Sequence, residues 1–239
     1  MMFDKLEMYR GNRMKIKNLK WWDVMIISMI LFGGAIYSST SIFFDPEFHE
    51  LANLTEFSKL DNLFGIFTIL IELSIAFLYL KWRRFDFSQW KYEITWKKTV
   101  LSVFLFILIA LSLDAFDILF SGWGNATAYV GTHGYLYVLE SLDMSLIVFS
   151  LLNGFYEEIF FLGVCFSVEE KYRPWAFAYS LLIRFSFHTY QGMAAALGIG
   201  FVLGILYYFL FLKSDKNLYP FMLAHSFADI VGVSILSLL

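Results

Sequence analysis

The sequence predicts an all-α fold, a polytopic transmembrane bundle of about seven spans, on three observations. Of 239 residues 59% are hydrophobic and only 16% charged, which is more apolar surface than one soluble core of that size can hide. The apolar residues fall into runs near the roughly 20 residues that a helix needs to cross a bilayer. Lys and Arg collect in short stretches between alternate runs.

The first run, Trp21–Phe44, follows a basic stretch and exceeds the roughly 7 to 15 residues of a signal-peptide core, so it is expected to be retained as a span. An acidic loop over 45–62 leads to a second run at 63–82, and a basic loop to a third at 99–120. The loop over 121–140, rich in Gly, Tyr and Trp, is expected to lie in the membrane interface or to dip inward. Further spans are expected at 141–167, 174–190, 192–212 and 219–239, with Pro46, Pro174 and Pro220 at helix boundaries. Residues 1–140 then form a tail plus three spans and 141–239 a core of four, built as one integrated membrane domain.

Sixteen of the eighteen basic residues lie in the N-terminal tail and in 81–98, 171–173 and 213–216, which are alternate loops. The positive-inside rule therefore places the N-terminus in the cytoplasm and the C-terminus outside. The net charge of −3 adds little, and no nucleic-acid partner is expected. Cys165, the single cysteine, excludes an internal disulfide and reads as a small buried hydrophobe. Gly192, Ala196, Gly200 and Gly204 recur every four residues, a pattern that lets a neighbouring helix approach closely.

Ionisable side chains inside a span are expensive and normally face the protein interior. The fourth span carries Glu157 and Glu158, the fifth Arg184 and His188, and the seventh His225 and Asp229, the last two pairs each four apart and so on one helix face. Lipid offers no hydrogen-bond partner, so these groups satisfy one another only by converging. A cavity of that kind can poise a carboxylate as the base that deprotonates a water. A zinc site is the alternative, with Glu157, His188 and His225 as ligands and an open position for water, although no His-Glu-x-x-His helix is present.

These residues resemble the CAAX-protease and bacteriocin-processing membrane proteins, the Abi family, relatives of the Ras-converting prenyl endopeptidase. Its pattern is Glu-Glu-x-x-x-Arg, then Phe-x-x-x-His, then His-x-x-x-Asn or Asp on successive spans. Glu157-Glu158, His188 and His225-x-x-x-Asp229 match in order and spacing, and Tyr207-Tyr208 with the run up to His225 looks like the family's approach to its last motif. The resemblance covers 151–233. Two positions depart from it: the motif arginine falls on Leu162 and the motif phenylalanine on Arg184. Arg184 is expected to restore the missing positive charge beside the glutamates from the fifth span.

The resemblance implies a metal-independent intramembrane glutamic endopeptidase acting on a membrane-associated peptide or protein. Leader peptides, bacteriocins, pheromone precursors and CAAX-type C-termini all fit. In the favoured assignment Glu157 is the base, Glu158 helps to position His188, and the histidines with Asp229 stabilise the oxyanion. The setting implied is a bacterial plasma membrane, with bacteriocin self-immunity as one role. A rival reading is a scaffold of the same fold that binds another membrane protein, such as a sensor kinase or a peptide exporter, without cutting it. A small transporter is a third, although the spans show no repeat.

Overall fold

In lipid a backbone can bond only to itself, so each apolar run is driven to helix. The computed structural model describes residues 15–45, 58–122 and 142–236. Among them seven helices stand where the apolar runs predict them: α1 (Trp21–Phe44), α2 (Lys59–Trp82), α3 (Trp96–Ser121), α4 (Met144–Val164), α5 (Arg173–His188), α6 (Met193–Lys213) and α7 (Tyr219–Val231). No β-strand occurs among the described residues.

Side-chain caps fix three starts. Ser58 accepts the Asp61 N–H, Thr95 accepts the Lys98 N–H, and Asp143 accepts those of Ser145 and Leu146, each satisfying backbone donors left over in a first turn. These caps start α2 and α3 a few residues before the expected 63 and 99. Most of the acidic loop and of the aromatic loop lies outside the described residues, as do Pro46 and residues 237–239.

The expectation of about seven spans needs a correction in length. Helices α1, α2, α3, α4 and α6 are long and apolar enough to cross a membrane. Helices α5 and α7 have 16 and 13 residues, short of the roughly 20 that a bilayer requires. Helix α7 does not run on towards 239 because Gly232 takes φ +98°, a value that favours glycine and ends the helix. Beyond it the Asp114 carboxylate on α3 accepts the backbone N–H groups of Ile235 and Leu236, holding the chain in a new direction.

The principal helix contacts form a closed circuit, α1 to α2, α4, α7, α3, α6, α5 and back to α1. One apolar core is built mainly from α1, α2, α4 and α5, a second from α3, α4, α6 and α7. Both include residues of the Ile159–Val164 segment of α4, a π-helical stretch, and a second π-helical stretch, Gly198–Leu203, lies in α6. Such segments are rare and gather at functional sites.

The small-residue pattern of α6 serves packing in part. A Cβ on Gly200 would stand 2.7 Å from Cβ of Phe185, and one on Gly204 2.6 Å from Leu181 Cδ2, so α5 rests directly on these glycines. Gly192 meets nothing and instead supplies a φ of +91° before α6.

The four basic segments come together at one end of the bundle. Ile16 pairs with Phe85, Leu19 with Val168 and Lys91 with Asn217 in isolated β-bridges. Lys20 Nζ lies 2.6 Å from Glu169, and Lys91 and Lys98 share Asp215. At the same end the Asp23 carboxylate is wholly buried and accepts from Tyr79, from Nε and Nη2 of Arg83 and from the Lys20 N–H.

Candidate active site

Glu157 and Glu158 occupy the last turn of regular α-helix in α4, just before the π-helical segment. Two features hold that turn. Gly154, one turn earlier, lets α7 come so close that any Cβ there would collide with Ser226 and with the Met222 carbonyl. On the other side Tyr156 bonds to the Leu31 carbonyl on α1 and, at 2.7 Å, to Glu72 on α2.

The side chains of α4, α5 and α7 meet inside the circuit of helices. Glu158 is fully buried, and its Oε1 accepts from Arg184 Nη2 at 2.8 Å and from His225 Nδ1 at 2.8 Å. Arg184 reaches across from α5 with its guanidinium 3.9 Å above the Phe161 ring, a cation–π contact. Its Nη1 stands 3.8 Å from Glu157 Oε2, too far for a hydrogen bond. The guanidinium thus lies beside both glutamates, in a chain whose motif position 162 is leucine.

Glu157 is held differently. Asn153, one turn earlier on α4, donates from Nδ2 to Glu157 Oε1 at 3.2 Å and to Asp229 Oδ2 at 2.9 Å. His225 Nε2 points between the same two carboxylates, 3.7 Å from Glu157 Oε1 and 3.6 Å from Asp229 Oδ1. These gaps exceed direct hydrogen bonding and suit one bridging water or a substrate oxygen. Glu157 Oε2, Glu158 Oε2 and Arg184 Nη1 are buried without a hydrogen-bond partner among the described residues. Asp229, 23% exposed at its side chain, is the most open of the six expected residues, the other five being buried.

His188 departs from its expected partner. Its Nδ1 lies 2.7 Å from the Arg184 carbonyl oxygen, and a carbonyl only accepts, so Nδ1 carries the proton and Nε2 is left free to act. Glu158, expected to position His188, bonds His225 instead, because the α5 backbone already takes the His188 ring. The possible metal ligands shift in the same way. Glu157, Glu158 and His225 bring ligand atoms within 4.8 Å of one another, with Glu158 where His188 was expected. Arg184 already occupies the Glu158 oxygen that His225 also uses.

Residues 140–231 match the family model described as type II CAAX prenyl endopeptidase Rce1-like. The match covers less than half of the chain and is a likeness of this segment. The match begins before α4 and ends on the last residue of α7, so the matched segment contains all six expected site residues, while α1, α2 and α3 lie outside it. At the level of the family this supports a CAAX-type membrane protease. No curated protein and no solved structure matches the chain.

Asn153 and Tyr156 were not among the expected residues. Asn153 carried a signal, since it stands four before Glu157 and therefore on its face. Glu72 is an ionisable residue inside an apolar run, which by itself marks an interior contact.

Proposed function

We propose that this protein is an intramembrane endopeptidase in which a water activated by Glu157 hydrolyses a peptide bond of a membrane-associated peptide or protein. The observation that carries this reading is the unequal treatment of the two glutamates. Each keeps one oxygen without a hydrogen-bond partner among the described residues, but the other oxygen of Glu158 is held at 2.8 Å by both Arg184 and His225, whereas that of Glu157 receives only the neutral Asn153 amide at 3.2 Å. The less engaged carboxylate is the one able to take a proton from water.

In this mechanism Glu157 accepts the proton of a water held between itself, Asp229 and His225 Nε2, and the oxygen attacks the scissile carbonyl. The oxyanion that develops is met by Nε2–H of His225, which acts with a proton on both ring nitrogens, its Nδ1–H being anchored on Glu158 so that the ring is fixed before the reaction begins. Preorganised donors of this kind in a water-poor site are usually the largest single contribution to rate. Glu157 then delivers its proton to the leaving amine, which closes the cycle without net change. Arg184 holds Glu158 in place, supplying from α5 the positive charge that a metal ion would otherwise bring, so the reaction is proposed to need no metal.

The test compares small peptides processed by cells that make wild-type or Glu157→Gln protein. The expected result is loss of one or more cleaved products while the variant is made, inserted and as heat-stable as wild type. Products and phenotype that persist in Glu157→Gln would discard hydrolysis and leave a binding role. Activity of the purified protein is expected to survive chelators, and its loss with recovery on added zinc would replace the metal-free mechanism.

A further inference from the structure

We propose that a cavity at the basic end of the bundle binds the phosphate of an anionic phospholipid, a site distinct from the glutamates. The cavity has a volume of about 190 Å³ and is lined by Trp90, Lys91, Arg173 and Lys216 above a floor that includes Leu162 and Phe211. Its floor is buried, with Leu162 at 3% and Phe211 at 3% exposure, while Lys216 at its rim is exposed.

The wall is built rather than incidental. Trp90 donates from Nε1 to Ser167 Oγ at 3.0 Å, and Ser167 donates in turn to the Gly163 carbonyl. The indole lies so close to Gly163 that a Cβ there would meet it at 3.3 Å. The charges are unevenly matched. Lys91 and Lys98 share Asp215, with Glu93 3.6 Å from Lys91, and Arg173 reaches only the exposed Glu170. Arg173 Nε is buried without a hydrogen-bond partner, and Lys216 forms no salt bridge among the described residues.

Two features select a lipid over a free anion. The cationic rim stands over an apolar floor, which suits an amphiphile, whereas inorganic phosphate would leave the floor unused. Exposed Trp21, Trp22, Trp82 and Trp96 begin or end helices at this same end of the bundle, and tryptophans of that kind mark headgroup level in a membrane. Basic pockets between helices at that depth take lipid phosphates.

The experiment uses the full chain purified in detergent, with phosphatidylglycerol, phosphatidylcholine or inorganic phosphate added, read by native mass spectrometry and thermal unfolding. One phosphatidylglycerol is expected to stay bound and to raise the unfolding temperature, with phosphatidylcholine and inorganic phosphate giving neither effect. Lys216→Gln, a change on an exposed side chain, is expected to weaken the lipid about fivefold, and Arg173→Gln added to it by a similar factor again. Lys59→Gln, at the opposite end of α2, is expected to change nothing. Equal retention of the two lipids, an unaltered affinity in Lys216→Gln, an equal loss in Lys59→Gln, or the same stabilisation by inorganic phosphate would each overturn the proposal. If the double variant fails to fold, the single Lys216→Gln comparison still decides.

Discussion

Arg184 makes the sharpest demand of any single residue, because its charge is 1% exposed and rests between two glutamates and a phenyl ring. Removing one partner of a buried pair strands the other, at a cost of roughly 3–5 kcal/mol. Arg184→Leu is therefore expected to fall well below wild type in thermal unfolding, and Arg184→Lys to recover part of the loss, since a lysine keeps the charge without the planar fork. An Arg184→Leu protein as stable and active as wild type would remove the guanidinium from the mechanism. Asn153→Leu is a subtler change. It frees Glu157 and Asp229 from their shared donor and is expected to reduce cleavage far more than stability, measured on the same preparation. The charged members of the site were legible in the sequence because carboxylates, imidazoles and a guanidinium stand out in apolar runs at helical spacing. Tyr156 was not, being neutral; Asn153, also neutral, showed only in standing four before Glu157; and the partner of each imidazole was not, because a spacing of four names a face and not the atom that a ring will meet.

At the scale of elements the site depends on how closely α7 lies on α4. Gly154 sets that distance, with no room for a Cβ between α4 and the Ser226 turn of α7. Gly154→Val is expected to force the two helices apart, at a cost of about 1–3 kcal/mol typical of overpacked cores. It should also widen the separation of Glu157 from Asp229, so that cleavage falls further than unfolding temperature. Gly200→Val, which presses on Phe185 in the α5–α6 contact, is the comparison: a similar stability loss there should spare more of the activity. Equal activity losses at equal stability would mean that the α4–α7 distance has no special role. The four-residue pattern in α6 made a close helix contact visible in advance, though not that α5 would be the partner. Gly154 has no such repeat around it, and the closest approach in the site was for that reason unreadable. Helix lengths were misjudged for a related reason. Hydropathy runs on past Val231, but the backbone turn at Gly232 and the Asp114 carboxylate end α7 there.

For the whole molecule, the circuit of seven helices gathers the basic segments at one end and leaves the described ends of α1 and α3 and the start of α4 at the other. Asp215 joins two of those segments by binding Lys91 and Lys98, and the Lys98 hydrogen bond holds its carboxyl below the usual range. A carboxyl lowered on folding stabilises the structure above its unfolded value, and that contribution fades as pH falls through the folded one. This clamp is thus expected to hold at neutral pH and to weaken only in acid, below the ordinary carboxylate range. The sidedness itself is open to labelling. The single cysteine, Cys165, is buried, so a membrane-impermeant thiol reagent should find little in the native protein. Cysteines introduced at Ser88 and at Lys216, both at the basic end and exposed or nearly so, should react only after the membrane is opened if that end is cytoplasmic. A cysteine at Leu60, 75% exposed at the start of α2, is the opposite control. Ser88 and Lys216 reacting on different sides would break the helix circuit itself. Both reacting from outside would keep the fold and invert the expected orientation, placing the lipid cavity and its cations on the outer face.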